Sequence, residues 1–343
     1  MPGKRKIGAV DVAGVGLNAT DTMIRLPHFP ALDSKVEILS DNVHAGGQVA
    51  SAIVACRRWG LTARYSGKVG DDAAGMFQRR EMRREGVRAN WVVGGGLSSQ
   101  IAYILVDEIS GERTVLWKRD ASIALRPNEV KKDWVAGAKV LLVDGHDTPA
   151  ASRAAKWARE SNTLIVGDFD NRYPGVEKLL HFVDYPIMSK DFPRRLTGER
   201  DLLKSLPAIL GTYKCLAAGA TLGRLGVIVW DGEEFHLCPG FRVDAVDTTG
   251  AGDVFHGAFA FGLVNGWAMD EILEFSCAAA ALNCTEVGAR GGIRRLAVIE
   301  NLRRRGKRSE RAFTELALRR AARSSADSIL GRERLRRSNM RTR

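Results

Sequence analysis

Short apolar runs alternate with longer stretches of helical periodicity along most of the chain. Nearly continuous apolar runs predict strands at 8–15, 63–69, 140–144, 164–168, 185–188, 214–218 and 226–230. Apolar residues that recur every three to four positions predict helices at 48–59, 74–85, 149–160 and 269–284. This alternation predicts an α/β fold, in which helices cover both faces of a mostly parallel sheet.

Two regions depart from this rhythm and alternate polar and apolar residues with period two. They span 21–41 and 100–118, and a Ser110-Gly111 turn separates the runs of the second region. We expect antiparallel strands that are added at the sheet edge and form a small β lid, from about 20–45 and 98–119. Because open α/β sheets bind ligands beyond the carboxyl ends of their strands, a lid there would exclude water.

The segment 14–19, GVGLNA, has the G-x-G-x-x-A spacing of a dinucleotide-binding turn. Such a turn has to open a helix, whereas residues 20–26 alternate polar and apolar and run into Pro27, which predicts a strand. The pattern therefore argues against a dehydrogenase. A Walker A site is not predicted either, since no Gly-Lys-Ser/Thr follows a glycine loop. Asp21, where this strand enters the lid, is placed to accept hydrogen bonds from polyol hydroxyls.

The segment 247–253, DTTGAGD, opens an apolar helix of small residues. Free N–H groups at a helix start, with the positive end of the helix dipole behind them, form a site for an anion. Gly250 and Gly252 let that anion approach the backbone closely. Asp253 is placed to take a proton from a hydroxyl that attacks phosphorus. The alternative is that these residues only cap the helix, but the two glycines favour the chemical interpretation.

Gly46 and Gly47 begin a second helix of small residues. Paired glycines allow a ligand to come close, and Gln48 and Ser51 lie three apart on one helical face, where they supply an amide and a hydroxyl. From this segment alone, tight helix packing explains the same small residues equally well.

Composition and cysteine usage narrow the class of protein. The 343 residues, 45% of them hydrophobic, can bury a large core. The five cysteines are odd in number and form no C-x-x-C pair, so neither a disulfide framework nor a zinc site is implied, and a reducing cytoplasm fits best. The first apolar run is broken by Asp11, which argues against a signal peptide, and no stretch approaches a membrane span.

The net charge of +12 lies almost wholly at the end of the chain. Residues 301–343 hold 15 Lys and Arg against 4 Asp and Glu, a net charge of +11. We expect a basic C-terminal extension over 303–343, partly helical or disordered. Its clusters of arginine would suit nucleic acid or acidic lipid, but with Phe313 as its one aromatic residue and no binding-motif spacing, a solvated extension is favoured.

The segment 247–253 resembles the signature of the ribokinase-like (phosphofructokinase-B type, PfkB) carbohydrate kinases. Further segments are similar to that family, and they extend the likeness over about 7–300: these are 46–51, 67–75, 110–114, 168–172, 221–226, 278–285 and 288–290. The resemblance implies a ribokinase-like three-layer α/β sandwich with a β lid over 1–302. It also implies an ATP-dependent kinase that acts on a sugar hydroxyl, the CH2OH of a furanose or ketose.

The resemblance implies a role for each matching position. Asp253 would be the catalytic base, and the anion hole would be formed by the amides of Gly250, Ala251 and Gly252. The sugar is expected at four positions, Asp21, Gly47, Gln48 and Ser51. ATP is expected at four others, Thr221, Gly223, Gly226 and Ala281. Mg²⁺ would bridge the phosphates, and backbone oxygens of Asp247 and Thr249 are implied as ligands of a monovalent cation such as K⁺.

The chain departs from the ribokinase pattern on the acceptor side. Gln48 and Ser51 stand where ribokinase has its own polar residue and Asn. Ser189-Lys190-Asp191 stands where many members have an Asn-x-x-Glu that organises magnesium. Asp168 and Asp191 are then the expected outer partners of the magnesium ion. The segment 189–191, and Val15-Gly16-Leu17 with Asp21, are closer to ketohexokinase-type members. Two alternatives stay open: a nucleoside kinase of the same fold, and a non-catalytic sugar sensor or nucleic-acid-associated protein that uses the basic tail. A homodimer that forms through the lid is also expected.

Overall fold

The computed structural model describes residues 9–109 and 113–309. Within them the strands are β1 Val10–Val15, β2 Ala19–Leu26, β3 Ser40–Gly46, β4 Ala63–Gly70, β5 Arg88–Gly94, β6 Ile101–Asp107, β7 Arg113–Lys118, β8 Ala138–Asp144, β9 Leu164–Phe169, β10 Tyr185–Ser189, β11 Ala218–Thr221, β12 Gly226–Trp230 and β13 Phe235–Pro239. The α-helices are α1 Gln48–Arg58, α2 Ala73–Arg84, α3 Thr148–Glu160, α4 Val176–Leu180, α5 Phe192–Thr197, α6 Leu202–Tyr213, α7 Ala251–Val264, α8 Met269–Asn283 and α9 Leu296–Arg305.

The main sheet has the strand order β13-β12-β11-β10-β9-β8-β1-β4-β5. From β11 to β5 every pairing is parallel, and β12 and β13 complete one edge in antiparallel fashion. Neighbouring side chains of β1 point to opposite faces, so Val12 joins the core with α1, α7 and α8, whereas Ala13 joins the core with α3 and α6. The predicted three-layer α/β sandwich is therefore confirmed.

The lid is a separate four-stranded sheet in the order β3-β2-β6-β7. The prediction of antiparallel strands added to the edge of the main sheet is wrong in two details. The sheet stands apart because the chain turns out of β1 at Gly16 and starts β2 at Ala19, and its central pair, β2 with β6, is parallel. The predicted turn at Ser110-Gly111 lies outside the described residues. Because β2 follows segment 14–19 directly, the dinucleotide-binding alternative is excluded.

Some observed elements differ from the predicted ones, and others were not predicted. The strand predicted at 214–218 begins only at Ala218, because Lys214 ends α6 in the left-handed conformation with a φ of 56°. The elements that were not predicted from the apolar pattern are the edge strands β5 and β13 and the helices α4, α5, α6 and α9. The other predicted strands and helices agree with the structure to within a few residues.

The described chain stays packed on the body beyond α9. The Arg308 guanidinium lies 3.7 Å from the centre of the Phe241 ring and donates a hydrogen bond to Glu274 over 2.8 Å. Residues 310–343, which hold most of the predicted basic extension, lie outside the described residues. No helix within residues 9–109 and 113–309 is long and apolar enough to cross a bilayer.

Candidate active site

Helix α7 begins at a turn that is fixed by the carboxylate of Asp247. One oxygen of Asp247 accepts a hydrogen bond from Thr249 N (2.9 Å) and the other from Gly288 N (2.7 Å), which ties the turn to the loop after α8. Gly250, just before α7, has a φ of 73°, and a Cβ there would lie 2.3 Å from Ala289 O. Only glycine fits this position, because both the backbone conformation and the contact exclude a side chain.

The first turn of α7 presents unpaired backbone donors to open space. Val254 N bonds back to Gly250 O over 2.9 Å, but no hydrogen bond among the described residues uses the N–H of Gly252 or Asp253. A Cβ on Gly252 would meet no atom within 4 Å. Unpaired N–H groups at a helix start, with room in front of them, form a cradle for an anion such as a phosphate.

Asp253 lies in this first turn, partly exposed at the sheet edge where the parallel strands end. Burial, and the nearby charge of Asp168, raise the pKa of the Asp253 carboxyl well above its usual value. His256, when it is protonated, and the guanidinium of Arg290 act in the opposite direction. A carboxylate with a raised pKa is a stronger proton acceptor, which suits a general base.

His256 connects this turn to the main sheet. Its Nδ1 lies 2.7 Å from Gly252 O and 3.4 Å from Asp168 Oδ2, and its Nε2 lies 3.0 Å from Ile187 O in β10. The ring is buried, and this burial lowers the pKa of His256. His256 therefore fixes α7 against the carboxyl ends of β9 and β10, where Asp253 has to be held.

The predicted acceptor cluster lies across the cleft from α7. Gly47 has a φ of 91° at the start of α1, and a Cβ on it would meet Asn18 Cα at 2.4 Å. A Cβ on Gly46 would lie 1.9 Å from Asp21 Oδ2, so a glycine there brings the lid strand β2 against the start of α1. Gln48 hydrogen-bonds to Asp168, while its Oε1 is buried without a partner among the described residues.

Asp21 is the acidic group of this cluster. It is buried, and burial raises its pKa to about 6, although the charge of Arg290 acts to lower it. Its charge also acts on Asp253. The structure thus brings Asp21, Gly47 and Gln48 together with the α7 turn at one edge of the main sheet.

Ser51 occupies a different place from the other three predicted acceptor residues. It is fully buried in α1, and its Oγ accepts a hydrogen bond from Arg290 Nε over 3.1 Å. Sequence reasoning noted Arg290 only as part of the loop after α8 and missed its position beside the cleft. The contact joins positions 239 residues apart, and no local pattern signals such a pairing.

Two further carboxylates, those of Asp144 and Asp168, lie at the carboxyl ends of β8 and β9. That they shape the cleft was not predicted from the sequence. Asp144, at the end of β8, accepts hydrogen bonds from Leu17 N (2.6 Å) and His146 N (3.0 Å), and it holds the link between β1 and β2. Burial raises the pKa of Asp168, as does the neighbouring charge of Asp170. A polar residue at the carboxyl end of each predicted strand was the available signal.

The predicted nucleotide positions follow β11 and line α8. Thr221 ends β11, Gly223 has a φ of 60°, and Ala281 lies partly exposed on α8. Packing alone explains the glycine at position 226, because a Cβ there would lie 2.0 Å from Cys238 O. The roles of these four residues in binding ATP stay predictions.

One of the two backbone oxygens implied for a monovalent cation already has a partner within the protein. Thr249 O accepts a hydrogen bond from Asn283 Nδ2 (3.1 Å), which also donates to Ala289 O (3.2 Å). In the described part of the chain, no three His, Cys, Asp or Glu side chains form a group able to hold a metal ion. The K⁺ site at Asp247 and Thr249 therefore stays a prediction.

Comparison with known proteins bears on this geometry. The model of the pfkB family carbohydrate kinases matches residues 18–295, a span that includes both the acceptor cluster and the α7 turn. The chain belongs to the pfkB family of carbohydrate kinases. It is accordingly a phosphotransferase of that family, and the resemblance seen in its motifs is confirmed.

Relatives within this family differ in the acceptors for which they are named. A 5-dehydro-2-deoxygluconokinase from Clostridium perfringens is 26% identical over 303 residues, which cover 81% of this chain and 87% of the relative. An ATP-dependent ribose-1-phosphate kinase from Halopiger xanaduensis is 29% identical over 308 residues, 82% of this chain and 94% of the relative.

A solved structure confirms the fold of this pfkB-family chain. The crystal structure of a protein assigned as a ribokinase, from Agrobacterium tumefaciens, superposes with a TM-score of 0.81 at 28% sequence identity. The match covers 87% of this chain and 98% of that one. The predicted ribokinase-like fold with its small second sheet is therefore correct.

Proposed function

We propose that this pfkB-family kinase transfers the γ-phosphate of ATP to a primary hydroxyl of a furanose or ketose. The observation that carries the proposal is one helix start that holds both an anion cradle and a carboxylate. The N–H groups of Gly252 and Asp253 are unpaired in the described structure, and the carboxyl of Asp253 has a raised pKa. Transfer of a phosphoryl group needs these two functions side by side.

In this mechanism the acceptor hydroxyl gives its proton to Asp253 as its oxygen attacks the γ-phosphorus. The amides of Gly250 and Gly252, and that of Ala251 once it leaves its 3.3 Å hydrogen bond to Thr248 O, stabilise the charge on the equatorial phosphate oxygens. Asp21 accepts hydrogen bonds from the acceptor and orients the attacking group, and Gln48 contributes its free amide oxygen. The lid beside the acceptor would exclude water that otherwise competes with the sugar.

The residues present fit ATP and Mg²⁺. The open space at Gly252 and the unpaired N–H groups suit a phosphate, and Thr249 Oγ1 is buried without a partner among the described residues. Since the described chain has no cluster of three metal-ligating side chains, nucleotide phosphates and water would supply most Mg²⁺ ligands, with Asp168 and Asp191 in the outer positions. Mg²⁺ neutralises charge on the β- and γ-phosphates when bound.

A coupled assay of ADP release tests the proposal. The acceptors are D-ribose, D-fructose, 5-dehydro-2-deoxy-D-gluconate, ribose 1-phosphate and adenosine, each with MgATP. We expect acceptor-dependent ADP release with a furanose or ketose and a phosphorylated product by mass spectrometry. Release only with adenosine would identify a nucleoside kinase instead. No acceptor-dependent release with any of the five would contradict the proposed function.

Replacing Gly252 by Ala tests the anion cradle. The added methyl meets no protein atom, so the fold tolerates it, and the gain in helix propensity stabilises the protein by about 0.5–1 kcal/mol. The methyl occupies the space in front of the N–H groups, however. We expect kcat/KM for MgATP to fall by about 10²- to 10³-fold, measured with the best acceptor of the panel at saturation.

Gly211→Ala provides the matched control for that variant. Gly211 lies in α6, and a Cβ there also meets no atom within 4 Å. Its gain in stability should be similar, while its kinetic constants should equal those of the wild type. Normal kcat/KM for MgATP in Gly252→Ala would show that the phosphate is bound elsewhere.

We further propose that two copies associate through the outer face of the lid. Val43, Thr22, Tyr103 and Leu116 are cross-strand partners in one row, so their side chains share a face. Val43, Tyr103 and Leu116 are 51%, 45% and 52% exposed, so the row presents three large apolar side chains, with Thr22 between Val43 and Tyr103. A second lid would bury this row.

Leu116→Glu tests the association by placing a charge on edge strand β7, in the face that a second lid would cover. We expect sedimentation equilibrium to give a dimer for the wild type and a monomer for this variant. Val115→Glu is the matched control, because Val115 is 47% exposed on the same strand but points to the opposite face. A monomeric wild type, or equal effects of both variants, would contradict association through this face.

A further inference from the structure

The guanidinium of Arg290 is held in place on two of its three sides. Its Nε donates to Ser51 Oγ over 3.1 Å, and its Nη2 donates to Gly46 O over 2.9 Å. The backbone oxygen of Arg290 accepts a hydrogen bond from Arg58 Nη1 over 2.9 Å. The side chain is thus anchored along α1, and its charged end lies at the start of that helix, beside the acceptor cluster.

The third side of the guanidinium is buried and unused. Arg290 is 7% exposed, and its Nη1 has no hydrogen-bond partner among the described residues. None of the ion pairs in the part of the chain that the structure describes includes Arg290. A buried cation without a direct counter-ion and with an unpaired donor is costly, so such a group needs an explanation.

Four ionisable groups surround Arg290 and act on its charge. The charges that act on it most strongly are those of Glu85 on α2, Asp21 on β2 and Asp253 on α7, and the hydroxyl of Tyr65 follows. Glu85 already binds Arg58 through both carboxylate oxygens, at 2.9 and 2.8 Å. Asp21 adjoins Gly46, whose carbonyl accepts from Arg290, so Asp21 and the guanidinium flank the same peptide group.

We infer that Arg290 Nη1 donates a hydrogen bond to a hydroxyl oxygen of the acceptor sugar, in the neutral part of the sugar that Asp21 also binds. The inference rests on the proposed sugar kinase activity.

The chemistry of the two side chains defines this part of the acceptor. An ionised carboxylate only accepts hydrogen bonds and a guanidinium only donates them, whereas a hydroxyl does both. Asp21 and Arg290 together therefore complement one hydroxyl or two neighbouring hydroxyls. A carboxylate or phosphate here would be repelled by Asp21 and Asp253, so an anionic group on the acceptor would have to lie at its other end.

The inference also explains the serine at position 51. Ser51 is buried and has a short side chain, so the guanidinium of Arg290 has room to lie beside it. The Ser51 hydroxyl then accepts the hydrogen bond from Arg290 Nε. Arg290 is thus the residue that determines which acceptor hydroxyl is recognised on this wall of the cleft. Its planar fork fixes the direction of the free donor, which lysine cannot reproduce.

Steady-state kinetics of Arg290→Gln test the inference with the best acceptor of the panel. We expect the KM for that acceptor to rise by about 10- to 100-fold, while the KM for MgATP stays within about 3-fold. Arg64→Gln is the matched control, since Arg64 is also a buried arginine and bonds instead to Asp133 O over 3.0 Å. Should Arg290→Gln fail to fold, Arg290→Lys keeps the charge without the fork, and its acceptor KM should rise in the same direction.

Monodeoxy analogues of the same acceptor identify the hydroxyl. One analogue should lose about 10- to 100-fold in kcat/KM with the wild type and little more with Arg290→Gln, because the contact is already absent. Two results would overturn the role of Arg290 and leave the kinase activity standing. One is an acceptor KM that Arg290→Gln does not change. The other is that, for every analogue, the loss in kcat/KM with Arg290→Gln equals the product of the separate losses from the variant and from the missing hydroxyl. A fall in kcat alone would place its action on Asp253 and also overturn it. No ADP release with any panel acceptor would overturn the proposed function, and this inference with it.

Discussion

Asp253→Asn should lower kcat by about 10²- to 10⁴-fold, which is the usual contribution of one positioned general base. Asparagine has the shape of aspartate, and the backbone N–H groups of the α7 turn stay in place. The KM values for MgATP and for the acceptor should therefore change only a few-fold. The measurement is initial-rate kinetics with the best panel acceptor, with stability followed by urea unfolding.

A dipole role for Asp253 makes a different prediction. If Asp253 only stabilised the first turn of α7, its replacement would destabilise the protein by about 0.3–1 kcal/mol and leave kcat intact. The pKa of Asp253 is raised, so its ionised form opposes folding, and asparagine should instead stabilise the protein at neutral pH. Glu271→Gln, at the same position of α8, is the control, and it should show the loss of the dipole effect together with the loss of a 3.8 Å ion pair with Arg303. Near-normal turnover in Asp253→Asn would refute the mechanism.

Asp21→Asn should have opposite effects on stability and on acceptor binding. The pKa of Asp21 is about 6 in the folded protein against 3.8 for the free side chain, so the folded state binds the proton more tightly. The stability associated with the protonated carboxyl is complete below about pH 4 and is lost as the pH rises through 6. Asparagine avoids this loss, so the variant should be more stable than the wild type by up to about 3 kcal/mol at pH 8.

The same substitution removes an ionised acceptor of hydrogen bonds from the sugar. We expect the acceptor KM to rise by about 10- to 100-fold, with the KM for MgATP little changed. Urea unfolding at pH 4 and pH 8 checks the stability, and Asp41→Asn, an exposed carboxylate on lid strand β3, is the control. A variant that is less stable than the wild type at pH 8 would contradict the assignment of a strained, functional carboxylate.

The sequence predicts the layers of the fold well because both signals are local. A buried parallel strand such as β8 is a continuous apolar run, and helix α1 shows its periodicity within eleven residues. The strand at 214–218 was misplaced because the apolar residues after α6 continue beyond the helix without forming a strand at once. Lys214 takes a left-handed conformation there, and a lysine does not predict that conformation.

The site was predicted where a motif is continuous in the chain and missed where it is not. The turn before α7 and the glycines before α1 each form a motif of a few consecutive residues, and each motif predicts a binding site. The hydrogen bond between Ser51 and Arg290 depends on α1 packing against the loop after α8. The spacing of residues along the chain therefore does not predict it. The lid shows the same limit, since period-two patterning predicts strands but does not distinguish the parallel pairing of β2 with β6 from an antiparallel one.

Asp21 belongs to a strand of the lid, whereas Asp253 and Arg290 belong to the body around the main sheet. A sugar that touches all three is a bridge between two separate sheets. Any tilt of the lid sheet changes the separation of Asp21 from Asp253, so in the proposed mechanism part of the free energy of acceptor binding would set the angle between the sheets. An acceptor that lacks the hydroxyl for Asp21 would then lose rate as well as affinity, because the lid would rest at a different angle over the reacting atoms.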